Sequence, residues 1–206
     1  DETEKSHRHI SGLWDLFPGR RISPRRTPQF AEGSKVVLEQ RGLPGNGWAS
    51  AWKAACWARL GDGAKALENF TYAMHQYTTT SLFSICSRAM QVDGAFGMSA
   101  AVAEMLLQSH EDELAFLPAL PAAWKDGDVK GFVARGGFEV GLRWKDGRIT
   151  EATLLSKLGR PCRVRSAAPL KVTVRGRSVS VRRPGPDLIE FKTEPGASYT
   201  LTAAGR

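Results

Sequence analysis

Gln91-Val92-Asp93-Gly94-Ala95-Phe96-Gly97-Met98-Ser99-Ala100-Ala101-Val102-Ala103-Glu104-Met105-Leu106-Leu107-Gln108-Ser109 sets an acidic residue between small residues and opens an apolar segment directly behind it. The glycines predict a turn, and the apolar spacing predicts a helix over 98–109. Asp93 then projects its carboxylate from the end of that helix. A local role is open to it as well, as an Asx-turn or N-cap residue.

Working outward, the same helical period recurs upstream. Thr27-Pro28 reads as an N-cap followed by proline at the first helical position, with the helix running to Arg41 and stopped by Gly42. Phe30, Val37 and Leu38 form its expected apolar stripe. A second helix is expected over 49–60, with Trp48, Trp52, Ala55 and Cys56 on one side, and Gly61-Asp62-Gly63 ends it. A third is expected over 64–77, carrying Leu67, Phe70 and Met74. The short link makes these two an antiparallel αα-hairpin. Pro118 and Pro121 break further helix.

After Trp124 the apolar period changes from 3.6 to 2. Phe138, Val140, Leu142 and Trp144 alternate with Glu139, Gly141 and Arg143. Lys145-Asp146-Gly147 signals a hairpin, and 149–155 returns. Short strands follow at 162–166, 170–174, 178–181, 188–191 and 199–202. The expected fold class is therefore α+β in separate parts: a helical part over 1–124 and an antiparallel β-sandwich-like domain over 125–206.

Composition narrows the function classes. The 206 residues are 42% hydrophobic and 24% charged, with six Trp, an ordinary globular balance. Residues 1–124 hold 12 Lys+Arg against 13 Asp+Glu, net −1, whereas 125–206 hold 17 against 8, net +9. Such a basic part can meet nucleic acid or an acidic glycan. The expectation here is a solvated β-surface decorated with arginine, without a nucleic-acid partner. No apolar run reaches membrane-spanning length, so no membrane partner is expected. Cys56, Cys86 and Cys162 are far apart and lack metal spacing. Neither a metal nor another cofactor is expected. The cysteine count does not settle the compartment; a periplasmic or secreted location would need a signal peptide upstream. The start at Asp1-Glu2-Thr3-Glu4-Lys5 reads as a segment of something longer.

Three stretches carry candidate chemistry. His7-Arg8-His9-Ile10-Ser11-Gly12-Leu13 places two histidines at i and i+2, ahead of Phe17-Pro18-Gly19. Metal binding would need a third ligand, and His75 and His110 read as helix-surface residues. Gly45-Asn46-Gly47-Trp48-Ala49-Ser50-Ala51-Trp52-Lys53 puts an indole beside a glycine turn, ahead of Trp57-Ala58-Arg59-Leu60-Gly61-Asp62-Gly63. Such an indole serves either as a sugar platform or as core. The third candidate is Asp93.

Together these stretches resemble glycoside hydrolase family 95, the α-L-fucosidases, in the same order from His7 to about Val164. The first is similar to the family's His-Arg-His-x-Ser-His-Leu and Tyr-Pro-Gly, with Gly12 standing where the family has histidine. The second is similar to Thr-Gly-Trp-Ser-x-Ala-Trp-Lys, with Asn46 for threonine and Ala49 for serine. The third is similar to Gln-Ile-Asp-Gly-Asn-Phe-Gly, with Ala95 for asparagine. The segments 114–121 and 129–140 continue the likeness.

The resemblance implies the closing helices of an (α/α)6 barrel followed by the family's C-terminal β-domain. It implies an inverting, exo-acting hydrolase of terminal α-L-fucosyl or related α-L-galactosyl linkages in glycans. Asp93 would be the catalytic-site carboxylate that orients and polarises an asparagine base, and His7, His9, Asn46 and Trp48 would bind substrate. A fucosylated oligosaccharide or glycan is the implied partner. The family's acid Glu and base Asn match nothing in residues 1–206, so the missing N-terminal half of the enzyme is a second implied partner. Glu104 is expected to be structural. Two further expectations follow. His7, His9, Trp48 and Asp93 should converge, and apolar surface near Phe70 and Met74 should lie exposed on the half barrel. The competing reading is a non-catalytic carbohydrate-binding or accessory module.

Overall fold

The protein is described here by a computed structural model covering residues 7–204. The start at Asp1–Lys5 lies outside the described residues. The chain divides into two compact units between Met105 and Leu106.

The first unit contains a 3₁₀ turn, Ser11–Leu13, and the helices α1 (Pro28–Arg41), α2 (Gly47–Arg59), α3 (Gly63–Gln76) and α4 (Val92–Leu106). A small hairpin of β1 (Ile85–Cys86) and β2 (Ala89–Met90) precedes α4. Helix α1 starts with proline in its first turn, as the sequence suggests. It stops at Gly42, whose φ of 56° suits glycine and lets its N–H reach the carbonyls of Leu38 and Glu39. Its apolar stripe differs from expectation. Ala31, Ser34 and Leu38 are buried, while Phe30 is 58% exposed.

Helix α2 is the centre of this unit. All of its residues except Trp48 are buried, so the expected single stripe understates it. A helix apolar nearly all round packs on several sides. Asn46 caps it by accepting from the Ala49 N–H at 2.9 Å, and Asp62 caps α3 from the Lys65 N–H at 2.9 Å. The predicted αα-hairpin of α2 and α3 is present. Phe70 and Met74 are half-buried rather than exposed, because Ala51, Ala73 and Met98 offer them a small-residue bed. The exposed apolar side chains of this unit are elsewhere, among them Trp14, Phe30, Leu82, Met90 and Phe96.

Helix α4 also departs from expectation. The helix begins at Val92, not Met98, so Asp93 lies in its first turn instead of in a turn before it. The glycines mislead because they serve packing here. A Cβ on Gly94 would meet Ser84 Oγ and come within 2.9 Å of the Gly47 carbonyl carbon and of the Trp48 nitrogen. One on Gly97 would come within 2.9 Å of the Trp48 ring. Further along, Ala54 and Ala55 cluster with Ala101, and Arg59 grips Glu104. Matching contacts in rising order on both helices mean that α2 and α4 run parallel, with their N-termini at one end.

The second unit holds β3 (Leu107–Gln108), β4 (Leu114–Phe116), β5 (Gly127–Ala134), β6 (Phe138–Lys145), β7 (Arg148–Ser156), β8 (Cys162–Arg165), β9 (Leu170–Val174), β10 (Arg177–Ser178), β11 (Arg182–Gly185), β12 (Leu188–Phe191) and β13 (Ala197–Ala203). One sheet has the order β10-β9-β13-β7-β6-β5, the other β11-β12-β8-β4-β3. Their inner faces supply the core, with Val140, Leu142, Leu154, Val164, Leu170 and Leu201 nearly inaccessible. Phe191 of one sheet and Tyr199 of the other meet at 5.6 Å between ring centroids. A helical part followed by antiparallel sheets is thus the architecture, with the single parallel pairing β4–β8 among the described strands.

The units part earlier in the chain than the change of apolar period near Trp124. Residues 107–116 pair into the second sheet through β8, and the Trp124 carbonyl accepts from Trp144 Nε1 at 2.8 Å. In place of one strand over 178–181, β10 ends at Ser178 and β11 begins at Arg182. His110, expected on a helix surface, is buried in the loop between β3 and β4.

Candidate functional site

The histidine loop is fastened to α2 from below. Ile10, Leu13 and Leu16 bury their side chains and anchor it. Trp52 Nε1 donates to the Phe17 carbonyl at 2.7 Å, and Arg59 Nη1 donates to the carbonyls of Leu16 at 3.3 Å and Gly19 at 3.0 Å. The Arg59 guanidinium also lies 5.2 Å from the Phe17 ring centroid. Glu104 of α4 holds that guanidinium with both carboxylate oxygens, at 2.5 and 2.9 Å. A bidentate pair fixes angle as well as distance. Glu104 is therefore structural, as expected, and the whole loop is referenced to α2 and α4.

Above this clamp stand His7 and His9, with ring centroids 5.2 Å apart in an edge-on arrangement. The His9 N–H donates to His7 Nδ1 at 3.1 Å, and Arg41 Nη1 donates to the His7 carbonyl at 2.5 Å. Burial lowers the His9 imidazole below its ordinary value, and the nearby charge of Arg8 and the His7 ring lower it further. The Asp93 carboxylate pulls the other way, which places Asp93 within electrostatic reach of His9.

Asp93 itself is exposed, and its Oδ1 accepts from the Gly94 N–H at 3.1 Å. Negative charge in the first turn of a helix is favoured by the macrodipole. The Trp48 N–H donates to Gln91 Oε1 at 2.9 Å, so the first turn of α2 is bonded to the residue just before α4. Trp48 is half-buried, and its ring stacks on Trp52 at 5.3 Å and 27°. The seat of Gly94 on Gly47 and Trp48 brings the two helix starts into backbone contact.

The structure thus brings Trp48, Asp93 and His9 to one end of the unit, with His7 beside His9. Asn46 lies there too, but it is buried, and its side chain is used as the α2 cap and for a 3.5 Å contact to Cys86 Sγ. Gln91 and Arg59 are positioning residues that the sequence does not single out. Gln91 directly precedes α4, yet its bond to Trp48 spans 43 positions and leaves no local signal. Among the described residues no group of three or more His, Cys, Asp or Glu is disposed to hold a metal ion.

Residues 1–106 match the family described as Glycosyl hydrolase family 95 catalytic domain, and residues 108–201 match Glycoside hydrolase family 95, C-terminal domain. The chain belongs to glycoside hydrolase family 95. It is 39% identical over 168 residues to Alpha-L-fucosidase 2 of Arabidopsis thaliana, covering 76% of this chain and 20% of that protein. It is 34% identical over 171 residues to Probable alpha-fucosidase A of Aspergillus oryzae, covering 71% and 24%, respectively. The corresponding protein of Aspergillus niger is 28% identical over 171 residues, with 74% and 22% covered. The chain thus spans between a fifth and a quarter of the length of these curated relatives. The border between the two family matches falls where the two compact units divide.

Proposed function

We propose that the first unit forms one wall of the cleft of an inverting, exo-acting α-L-fucosidase-like hydrolase, and that the second is its C-terminal β-domain. The observation that carries this reading is the seating of Gly94 against Gly47 and Trp48. It sets an exposed carboxylate beside a half-buried indole at the starts of two parallel helices, and that carboxylate acts electrostatically on His9. The helices would be the closing part of an (α/α)6 barrel.

In this reading the exposed edge of Trp48 carries the apolar face of a pyranose. His9, kept largely neutral near pH 7, can donate or accept a hydrogen bond to sugar hydroxyls without a charge to desolvate. His7 assists from beside it, and Asn46 acts indirectly by capping the helix that presents Trp48. Inverting hydrolysis needs an acid on one side of the glycosidic oxygen and an activated water on the other. Asp93 would polarise an amide base rather than take the proton itself. The acid and that base would come from residues outside this sequence, and the ligand would be a terminal α-L-fucosyl or α-L-galactosyl unit of a glycan.

The test uses the 206-residue chain. Tryptophan fluorescence should report saturable binding of a fucosylated oligosaccharide, lost in Trp48→Ala and weakened in His9→Ala, while an aryl α-L-fucoside is not turned over. An absence of binding would overturn the cleft reading. Turnover abolished by Asp93→Ala would overturn the assignment of acid and base to residues beyond this chain.

A further inference from the structure

The basic excess of the second unit is concentrated in one stretch of its sequence. Residues 152–186 contain nine Lys or Arg and no Asp or Glu. Some of these charges are neutralised by acids from other segments. Lys157 pairs with Glu139, Arg163 and Arg182 with Glu190, and Arg165 with Glu113 and Asp187. Arg160, and apart from it a group of four, Lys171, Arg175, Arg177 and Arg183, take part in no ion pair among the described residues. All four are exposed.

These four lie on or beside the edge strands β10 and β11, with Lys171 on the outer face of β9 and Arg177 on the face of Val174. Lys171 lies on β9, Arg175 in the β9–β10 turn with φ of 49°, and Arg177 on β10, opposite Val174 of β9. Arg183 of β11 reaches across and donates to the Leu170 carbonyl at 2.9 Å. From Lys171 to Val174 the strand extends about 10 Å at about 3.3 Å per residue. The four cations thus gather at the rim where the two sheets end in their short edge strands.

We infer that this rim binds a carboxylated polysaccharide, one bearing uronic acids along its chain. Three of the four cations are arginines, whose planar guanidinium matches a carboxylate in two parallel hydrogen bonds. A group of exposed like charges that no acid pairs attracts an extended polyanion and repels its own kind. Single-stranded nucleic acid fits less well, because it also calls for exposed aromatic rings on which bases stack. The exposed aromatic side chains, Trp14, Phe30, Phe83 and Phe96, all lie in the first unit. The choice of a polysaccharide over a nucleic acid also rests on the glycosidase reading. Edge strands carry charge to prevent sheet-to-sheet association as well. That need is met by either sign, and by Pro184, so it does not call for charges of one sign.

The experiment is affinity electrophoresis of the intact chain through gels containing polygalacturonate, its highly methyl-esterified form, or neither. Polygalacturonate should retard the protein, the esterified polymer should not, and added salt should abolish the retardation. Arg175→Glu/Arg177→Glu should weaken binding by about tenfold, as expected when two exposed ion pairs become repulsive. The substitutions keep the edge charged, so they leave edge protection in place. Lys171→Glu serves as a second variant, and circular dichroism checks the fold of both. Equal retardation by the esterified polymer, or unchanged retardation of both variants, would overturn the inference. Tighter binding to duplex DNA than to polygalacturonate at the same salt would overturn it in favour of a nucleic-acid surface. Retardation is read without hydrolysis, so failure to bind a fucosylated oligosaccharide with retardation intact counts against the fucosidase reading alone.

Discussion

Gly94→Ala isolates the contact on which the candidate cleft depends. In a helix, alanine is favoured over glycine by up to about 1 kcal/mol. On propensity alone the substitution would stabilise α4. The added methyl carbon, however, would meet Ser84 Oγ and lie 2.9 Å from both the Gly47 carbonyl carbon and the Trp48 nitrogen. The serine can rotate, but the two backbone atoms belong to the first turn of a buried helix and cannot. Overpacking of this kind costs about 1–3 kcal/mol. The balance is a loss of roughly 1–2 kcal/mol, or a fall of about 4–8 °C in Tm per kcal/mol for a unit of this size. Gly33→Ala is the matched control. Gly33 is exposed in α1, with no atom near the position of an added Cβ, so it should gain about 0.5–1 kcal/mol. Urea denaturation followed by far-UV circular dichroism should move the two midpoints in opposite directions at constant m. Ser84→Gly should recover part of the Gly94→Ala loss, since one of its three contacts is removed. A Gly94→Ala protein as stable as wild type would refute the close-approach reading and, with it, the argument that α2 and α4 fix Asp93 relative to Trp48.

Lys53 is 1% exposed, and its Nζ donates to the carbonyls of Gly42 at 2.6 Å and of Leu43 and Pro44 at 2.9 Å. Lys53→Met should cost roughly 2–4 kcal/mol at neutral pH by leaving those carbonyls without donors, as measured by urea denaturation. Burial, and then the charge of Arg41, lower the Lys53 ammonium from 10.5 to about 8. Between those values the unfolded chain binds more protons, so the contribution of this group to stability rises with pH across that window. The difference in stability between wild type and Lys53→Met should therefore widen from pH 8 to 10.5, and a constant difference would count against a depressed ammonium. Cysteine labelling gives a third check. Burial raises the Cys56 thiol well above its ordinary value and pushes Cys162 up to about 12, whereas Cys86 is half-buried. An alkylating reagent followed by mass spectrometry should modify Cys86 first in the native protein and all three thiols in denaturant.

The sequence made the element types legible but not their pairings. Period and capping residues located α1, α2 and α3 to within two residues, because Pro28, Gly42 and Asp62 act on their own neighbours. The alternation in 138–155 marked β6 and β7 for the same reason. What failed was anything set by a distant partner. Leu107–Gln108 and Leu114–Phe116 are too short to show a period and are strands only because β8 offers them a place. Phe30 looks like core by type and spacing, yet small residues, Ala31 and Ser34, occupy the buried face instead.

The misreading of Gly94 and Gly97 shows how the candidate site escaped a local reading. Glycine in a sequence signals either a turn or an approach too close for a Cβ, and the two are alike until a partner is known. Here the partner is Gly47-Trp48 on α2, itself glycine-containing, so the small residues occur in matched pairs: Gly47 with Gly94, Ala51 with Gly97, Ala54 and Ala55 with Ala101. Paired small residues in the same order allow two helices to lie parallel and close, and parallel helices start at the same end. Asp93 and Trp48 both lie in first turns. Their proximity therefore follows from the small-residue stripe and not from any attraction between them. Arg59 and Glu104 close the far end of the same helix pair and tie the histidine loop to it, so that one packing arrangement sets the positions of His9, Trp48 and Asp93 together.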